Sequence, residues 1–430
     1  MNDDDLSFLE NAAANYGDVE AVGPAAHPLP FETSPRGRAE RVDALVLNPS
    51  TEQVMEVQNI IYERHADGRP PARAYWVGRK LRRCIFGVVK ECTILKFRND
   101  ANIPWEVTPS KAAVKIMSWQ KIRELQHIED PQKEVAAMQY VSRDGVHEHV
   151  MGVFDVLEDE EYLLMFMPFA SSGDLFGFVQ QAGRFPEPMA RFWFKQILSV
   201  SAVERLFRFV RSVASSPLFS GMCVVAWKIL IAVAHHRLVR SKNEQGLSHL
   251  QRLGVCHRDM SLENILVDEY RKSIIIDLGM CLRIPYDNDG GVIDVSGGTM
   301  RRLIRPQIPC GKPNYISPEI LKSEEPFDGF AIDLWATAVI LFIMLVGLPP
   351  WEFAREEDPR FKMVVRGGLS RMLRSWDREI SPEAVDLLQK MLREDPRQRL
   401  SMVEVQDHPW VAMQDTESSE TAQPDEGWRH

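Results

Sequence analysis

The residue types best suited to chemistry stand together just past the middle of the chain. His257-Arg258-Asp259-Met260-Ser261-Leu262-Glu263-Asn264 is followed, eighteen residues beyond Asp259, by Asp277-Leu278-Gly279, directly after the apolar run SIII at 273–276. Two acids and an amide at these spacings suit phosphoryl transfer. One carboxylate can accept a hydroxyl proton, while the amide and the second carboxylate offer hard oxygens that hold magnesium against phosphates. Either motif alone is weak; the ordered pair, set behind a strand, is far less often a chance arrangement of surface charge.

Here the chain resembles the eukaryotic protein kinases. HRDMSLEN is similar to their catalytic loop and DLG to their DFG magnesium motif. The resemblance implies Asp259 as the base, Asn264 and Asp277 as magnesium ligands, and ATP as phosphoryl donor. Ala112-Ala113-Val114-Lys115 resembles the strand whose lysine grips the α and β phosphates. Glu134, nineteen residues on in the helical pattern PQKEVAAMQYV, is the expected partner of Lys115, with Glu124 and Glu129 as rivals. Met167-Pro168-Phe169-Ala170 resembles the hinge whose backbone meets adenine; Met167 suits the gatekeeper place and equally a core place. Asp174 resembles the acid near the ribose, with a helix N-cap as the plainer alternative. Ser317-Pro318-Glu319 stands where the family has APE, with Arg399 the expected ion-pair partner, and Asp333 resembles the brace of the catalytic loop. The segments DLWATAVILFIMLVGLPPWE and DHPW are most similar to the calmodulin-dependent branch of the serine/threonine kinases.

Such chemistry needs two lobes to position it. The resemblance covers about residues 74–413 and implies an α+β bilobal fold. A small lobe over 73–170 would carry a twisted antiparallel sheet and one helix; a larger helical lobe would fill 171–413. Short β-like runs dominate from Ala74 to Lys115, with NDANIPWEVTPSK read as a long hairpin connection, and EEYLLMFM at 160–167 reads as a buried strand. The apolar run before GLPPW, about fifteen residues, is short for a membrane span and suits a buried helix. Residues 1–72, rich in Ala, Pro and Asp, read as a mostly disordered extension with one helix near Gln53–Arg64; 414–430 read as an acidic tail.

Three departures test the resemblance. The glycine-rich pattern GxGxxGxV becomes Arg82-x-Cys84-x-x-Gly87-x-Val89. Two glycines that let backbone amides approach phosphates are gone, yet Gly87 remains at the tip, so a weakened but working loop is expected. Arg82 or Arg83 could add charge to the phosphate site, with a solvated side chain the plainer reading for each. Next, the family's serine/threonine members carry Lys two residues after the catalytic Asp and Thr in the GTPxY segment. This chain has Ser261 and Lys312 there, so Lys312 either supplies the ammonium that neutralises the transferred group or, as the plainer alternative, is a solvated loop lysine. Arg258 implies control by a phosphate on the segment between Asp277 and Glu319, but 303–310 holds no Ser or Thr, leaving Ser296 and Thr299 as weak candidates.

The third departure is 200–245. Joining Ser199 to Gly246 gives FKQILSGLSHLQRLGVCHRD, an unbroken helix pattern leading into the catalytic loop. The intervening stretch carries seven Lys/Arg against two Glu and the eighteen-residue apolar run PLFSGMCVVAWKILIAVA. A membrane span fits by length but would divide one folded lobe between two sides of a membrane. A native insertion would expose that apolar surface unless a partner covered it. Retained untranslated sequence is the leading reading, since Val-Ser and Gln can be encoded by common intron-boundary triplets.

Composition bounds the rest. A net charge of −10 argues against nucleic acid as main partner, and the six cysteines form no CxxC pairs. Reduced thiols and the acidic MNDDDLSFLE start, with no apolar signal run, suit a cytoplasmic or nuclear protein. Protein substrates are the expected partners, no membrane is expected, and the sequence names no regulatory partner. Two rivals stand beside the enzyme: a pseudokinase scaffold, favoured by the depleted loop, and a kinase of small molecules or lipids, disfavoured by the SPE segment and the Tyr315 loop.

Overall fold

The computed structural model describes residues 27–31, 33–125, 130–198, 246–284 and 303–413. The small lobe is built on β1 (Gly37–Asn48), β2 (Gln53–Arg64), β3 (Ala74–Cys84), β4 (Gly87–Phe97), β5 (Trp105–Ser118), β6 (Asp155–Glu158) and β7 (Tyr162–Pro168). Between β5 and β6 run the helices α1 (Trp119–Leu125) and α2 (Pro131–Val141). The strands bond in the order β1-β2-β3-β4-β5-β7-β6, and β1 returns to touch both β6 and β5 in parallel, closing the sheet on itself. Closure leaves few free edges for stray pairing.

This corrects five expectations. Residues 37–64 are folded, so the small lobe begins at 37 rather than 73. It has two helices rather than one, and its sheet is not wholly antiparallel. The connection after β4 is only 98–104, because β5 already starts at Trp105. Gln53–Arg64 is strand, not helix. Its apolar residues recur three or four apart, as on a helix face, because β2 is bulged. Asn59 sits at φ 61° and its N–H donates to Asp43 Oδ1 at 3.1 Å, where the β1–β2 register shifts between Val42 and Ala44. A residue added to a two-residue alternation imitates a helical period. The hairpin is held by Val46, Val57 and Ile60, which pack with Ala74, Leu95 and Trp105 in a core of their own.

In the larger lobe α3 (Leu175–Ala182), α4 (Glu187–Leu198) and α5 (Gly246–Arg252) lead to four short strands: β8 (Val255–Cys256), β9 (Ile265–Val267), β10 (Ser273–Ile275) and β11 (Leu282–Arg283). Then come α6 (Pro318–Lys322) and α7 (Gly329–Val346). The lobe is completed by α8 (Pro359–Val365), α9 (Leu369–Ser375), α10 (Pro382–Met391), α11 (Met402–Asp407) and α12 (Pro409–Ala412). Asp328 caps α7 by accepting from Phe330 N and Ala331 N, and Gly347 ends it at φ 85°. All eighteen of its residues are buried, which is why all but Asp333 and Thr337 are apolar or glycine: it is the axis of the lobe. Among the described residues it is the one helix long and apolar enough to cross a membrane, and its burial gives its apolarity another cause.

The readings of 200–245 concern residues outside the described ones, but the flanks are informative. Ser248 Oγ donates to Leu198 O at 2.8 Å. A Cβ on Gly246 would stand 2.3 Å from Ile197 O and 2.8 Å from Gln196 O. If Ser199 were joined to Gly246, these would be contacts three and four residues apart, the spacing of one continuous α-helix. The ends of α4 and α5 therefore abut as consecutive turns. Ser296, Thr299 and the tail 414–430 also lie outside the described residues.

Candidate active site

α2 starts cleanly. Asp130 accepts from Gln132 N at 2.9 Å and Pro131 occupies the first turn, which brings Glu134 onto the buried face. Lys115 lies on β5 between Val89 and Met165 of the neighbouring strands. Its Nζ reaches both carboxylate oxygens of Glu134, at 2.8 and 2.6 Å. Burial works to discharge this ammonium, but Glu134 and then Asp277 overcome it and hold Lys115 charged beyond the ordinary lysine range. Of the rivals, Glu124 instead accepts from Gln120 on α1 at 2.9 Å, and Glu129 lies outside the described residues.

The catalytic-loop sequence leaves β8 and is gripped from α7. Asp333 accepts the N–H of His257 at 2.7 Å and of Arg258 at 2.9 Å. Arg258 sits at φ 66°, in the left-handed region that costs a non-glycine residue energy, so two charge-assisted bonds fix a strained turn. Burial lifts the Asp333 carboxyl to about 6, against the pull of His257 and the two donors. Asn264 Nδ2 donates to Asp259 O at 2.8 Å and to Asp259 Oδ2 at 2.7 Å. Ile276 N donates to Asn264 O at 2.9 Å, tying the loop to the residue before Asp277. Asp277, also left-handed at φ 68°, accepts from Gly279 N at 3.3 Å.

This donor set fits a divalent cation. With Nδ2 committed to Asp259, Asn264 keeps its amide oxygen, which joins the Asp277 carboxylate as a pair of hard donors. The buried Oδ1 of Asp259 has no hydrogen-bond partner among the described residues. No cluster of three or more His, Cys, Asp or Glu suited to a metal occurs among them, so phosphate oxygens and water would complete the coordination. Burial raises the pKa of Asp259, while Lys312 and then His257 oppose the rise.

The exchanged pair meets. Lys312 Nζ donates to Ser261 Oγ at 2.6 Å and lies 3.6 Å from Glu263 Oε2. Gly311, at φ 97°, makes this approach possible; a Cβ there would stand 3.0 Å from Arg258 O and 3.3 Å from Asp259 Oδ1. The family's threonine position drew attention to Lys312, not to the glycine before it. The Arg258 guanidinium donates to Ile308 O at 2.8 Å and to Met280 O at 3.4 Å, so it serves the backbone of the segment it was expected to regulate.

Met167 lies on β7 opposite Ala113, partly buried against the main core, and Phe169 and Ala170 follow the end of the strand. Asp174 takes the plainer role: its Oδ1 accepts from Gly177 N at 2.8 Å and caps α3. At the glycine-poor hairpin, Cys84 pairs with Gly87, so Ile85 and Phe86 form a two-residue turn. A Cβ on Gly87 would stand 1.9 Å from Ile116 O, so the position has no room for a side chain. Phe86 turns inward, 2% exposed, into the core that holds Met117 and Ile122. Burial raises the pKa of the Cys84 thiol, with Lys115 opposing, so Cys84 lies within the field of that ammonium. Arg82 and Arg83 are exposed as expected. Distal to the cleft, Arg399 meets Glu319 fork to fork, with both bonds at 2.6 Å.

A family model described as "Protein kinase domain" matches residues 106–209 and 228–411, skipping eighteen residues inside the 200–245 stretch. The chain is similar to the probable serine/threonine-protein kinase fhkD of Dictyostelium discoideum, 26% identical over 336 residues, which cover 76% of this chain and 35% of that protein. It is also similar to calcium-dependent protein kinase 8 of Arabidopsis thaliana, 26% identical over 340 residues, covering 78% of this chain and 49% of that protein. The chain thus spans at most about half the length of these curated relatives.

Proposed function

The chain belongs to the protein kinase family, and from that premise we propose that it transfers the γ-phosphoryl group of ATP to Ser or Thr hydroxyls of protein substrates. One observation carries the reading: the closed Lys115–Glu134 ion pair beside Asp277, with Asp259 and Asn264 locked together below it. Asp259 accepts the proton of the attacking hydroxyl. Lys115, held by Glu134, orients the α and β phosphates. Asn264 and Asp277 hold magnesium, which when bound neutralises charge on the phosphates. Gly87 and Val89 roof the phosphate site, and the backbone of Met167, Phe169 and Ala170 receives adenine. Asp174 stays at the ribose end of the cleft as a helix cap. Lys312, anchored on Ser261, brings the positive charge that faces the reacting centre. The protein works in the cytoplasm or nucleus, and 200–245 is not needed for the reaction.

The test is ATP phosphotransfer to a generic basic peptide by four proteins: the full chain, a chain lacking 200–245, and Asp259→Asn of each. Asp259-dependent transfer is expected. Nucleotide-induced thermal stabilisation without transfer by any of them would instead establish a scaffold, the reading that the inward Phe86 and the lost glycines favour. Lys312→Thr should lower kcat and move the acid limb of kcat/KM to higher pH, because Lys312 opposes the rise in the Asp259 pKa. Full activity with an unmoved limb would remove Lys312 from the mechanism.

A further inference from the structure

The short stretches 27–31 and 33–36 do something that their composition does not suggest. Their contacts lie along α2 and reach the larger lobe. At one end, Arg36 Nη2 donates to Gln132 Oε1 at 3.2 Å, Arg36 Nη1 pairs with Glu158 at 3.0 Å, and its guanidinium lies 5.5 Å from the Trp119 ring centroid. In the middle, the Phe31 ring packs edge-on to Tyr140, with centroids 5.6 Å apart. Gln132 and Tyr140 lie in the first and last turns of α2, so these contacts span the helix that carries Glu134. Beyond Phe31, Leu29 N donates to Arg283 O at 2.9 Å, and Arg283 Nη1 returns a bond to Pro30 O at 3.2 Å. The same guanidinium stacks over Tyr140, 4.8 Å from its centroid.

The strand that Leu29 joins is β11, which pairs with β8. β8 leads directly into His257-Arg258-Asp259, and β11 follows Asp277-Leu278-Gly279 by two residues. Leu29 is thus the third member of a ribbon on which both catalytic turns are mounted. The sequence suits one docking bond. In Pro28-Leu29-Pro30 only Leu29 has an N–H to donate, and the flanking prolines prevent the strand from extending.

We infer that residues 28–31 and 33–36 are a built-in strap that holds α2, and through it Glu134, against the β8–β11 ribbon, so that Lys115 is oriented without a separate activating partner. Leu29, Phe31 and Arg36 are then positioning residues that act through Glu134. The inference rests on the kinase reading above.

The test uses the full chain. Phe31→Ala and Leu29→Pro are compared with Phe31→Leu, which keeps apolar bulk. ATP kinetics are measured together with hydrogen exchange of 131–141, taking 329–346 as internal reference. The first two variants should raise KM for ATP and speed exchange in α2 by about three- to tenfold, the factor expected for losing part of a buried apolar side chain's contact, with 329–346 unchanged. Phe31→Leu should recover most of both losses. In a Glu134→Gln background the strap variants should add nothing to KM. Unchanged α2 exchange and KM in Phe31→Ala would overturn the strap, as would an equal added loss in the Glu134→Gln background. If the wild-type chain shows no Asp259-dependent transfer, the kinase reading fails, and exchange in α2 still decides whether the strap holds the helix.

Discussion

Glu319→Gln removes the countercharge of a guanidinium that has almost no access to water. The Arg399 side chain is 1% exposed and that of Glu319 is 16% exposed. In the variant, Arg399 keeps the carbonyls of Arg393, Ala331 and Glu394 and the face of Trp335, 4.6 Å away. These partners satisfy donors but carry no net charge. Breaking one member of such a buried pair costs about 3–5 kcal/mol. A lobe of this size loses about 2–4 °C of Tm per kcal/mol, so a drop of roughly 6–20 °C is expected. Differential scanning calorimetry reads this directly. Glu319→Leu/Arg399→Met should melt well above the sum of its single changes, because it strands no charge. The drop should also persist in 1 M salt, since screening does not reach the pair. A shift under about 2 °C, or strict additivity of the two changes, would refute the argument, because either would mean that the pair is solvated.

Three further outcomes follow from the same geometry. Lys115→Met should reduce phosphotransfer by about a hundredfold or more, and Glu134→Gln by less, since the ammonium itself survives; equal losses in a single-turnover assay would contradict the division of roles. Gly87→Ala places a Cβ 1.9 Å from Ile116 O, so it should part β4 from β5, weaken ATP binding in calorimetry and lower Tm; an unaltered affinity would mean that the hairpin tip is not part of the site. His147 and His249 stack with centroids 4.1 Å apart, and burial depresses them to about 3 and about 4, aided by His249 and Arg252 respectively. Depressed histidines contribute stability that is complete above their unfolded value of about 6.5 and is lost as pH falls toward the folded values. Denaturant midpoints should therefore decline from pH 7 to 4, and His249→Phe should flatten that decline.

What could be read from the sequence was which residues meet. Asp259, Asn264 and Asp277 must sit on two adjacent turns, and Lys115 and Glu134 must face one another, so their spacings were readable before any fold. Glu319 and Arg399 were readable for the same reason. What escaped was geometry made by exceptions. Asn59 bends β2 and disguises a strand as a helix. The composition of Pro28-Leu29-Pro30-Phe31 reads as disorder, because one hydrogen bond and one ring leave no period. Phe86 turns inward although its turn position suggests exposure. Asp174 took the local capping role that any Asp before a helix can take.

The abutting ends of α4 and α5 bear on how the lobe folds. The bond from Ser248 to Leu198 would be a nearest-turn contact in an unbroken helix, and here its partners are fifty residues apart. A contact that a helix forms almost at once must instead await closure of a long loop, at an entropic cost of roughly 3 kcal/mol for about 46 residues. That is a sizeable part of the 5–15 kcal/mol or so by which a domain is stable. The helix leading into the catalytic loop is therefore moved from the early, local events of folding to the late, non-local ones. A chain joined at Ser199–Gly246 should reach the same native lobe faster, and the full chain should depend more on assistance while it folds.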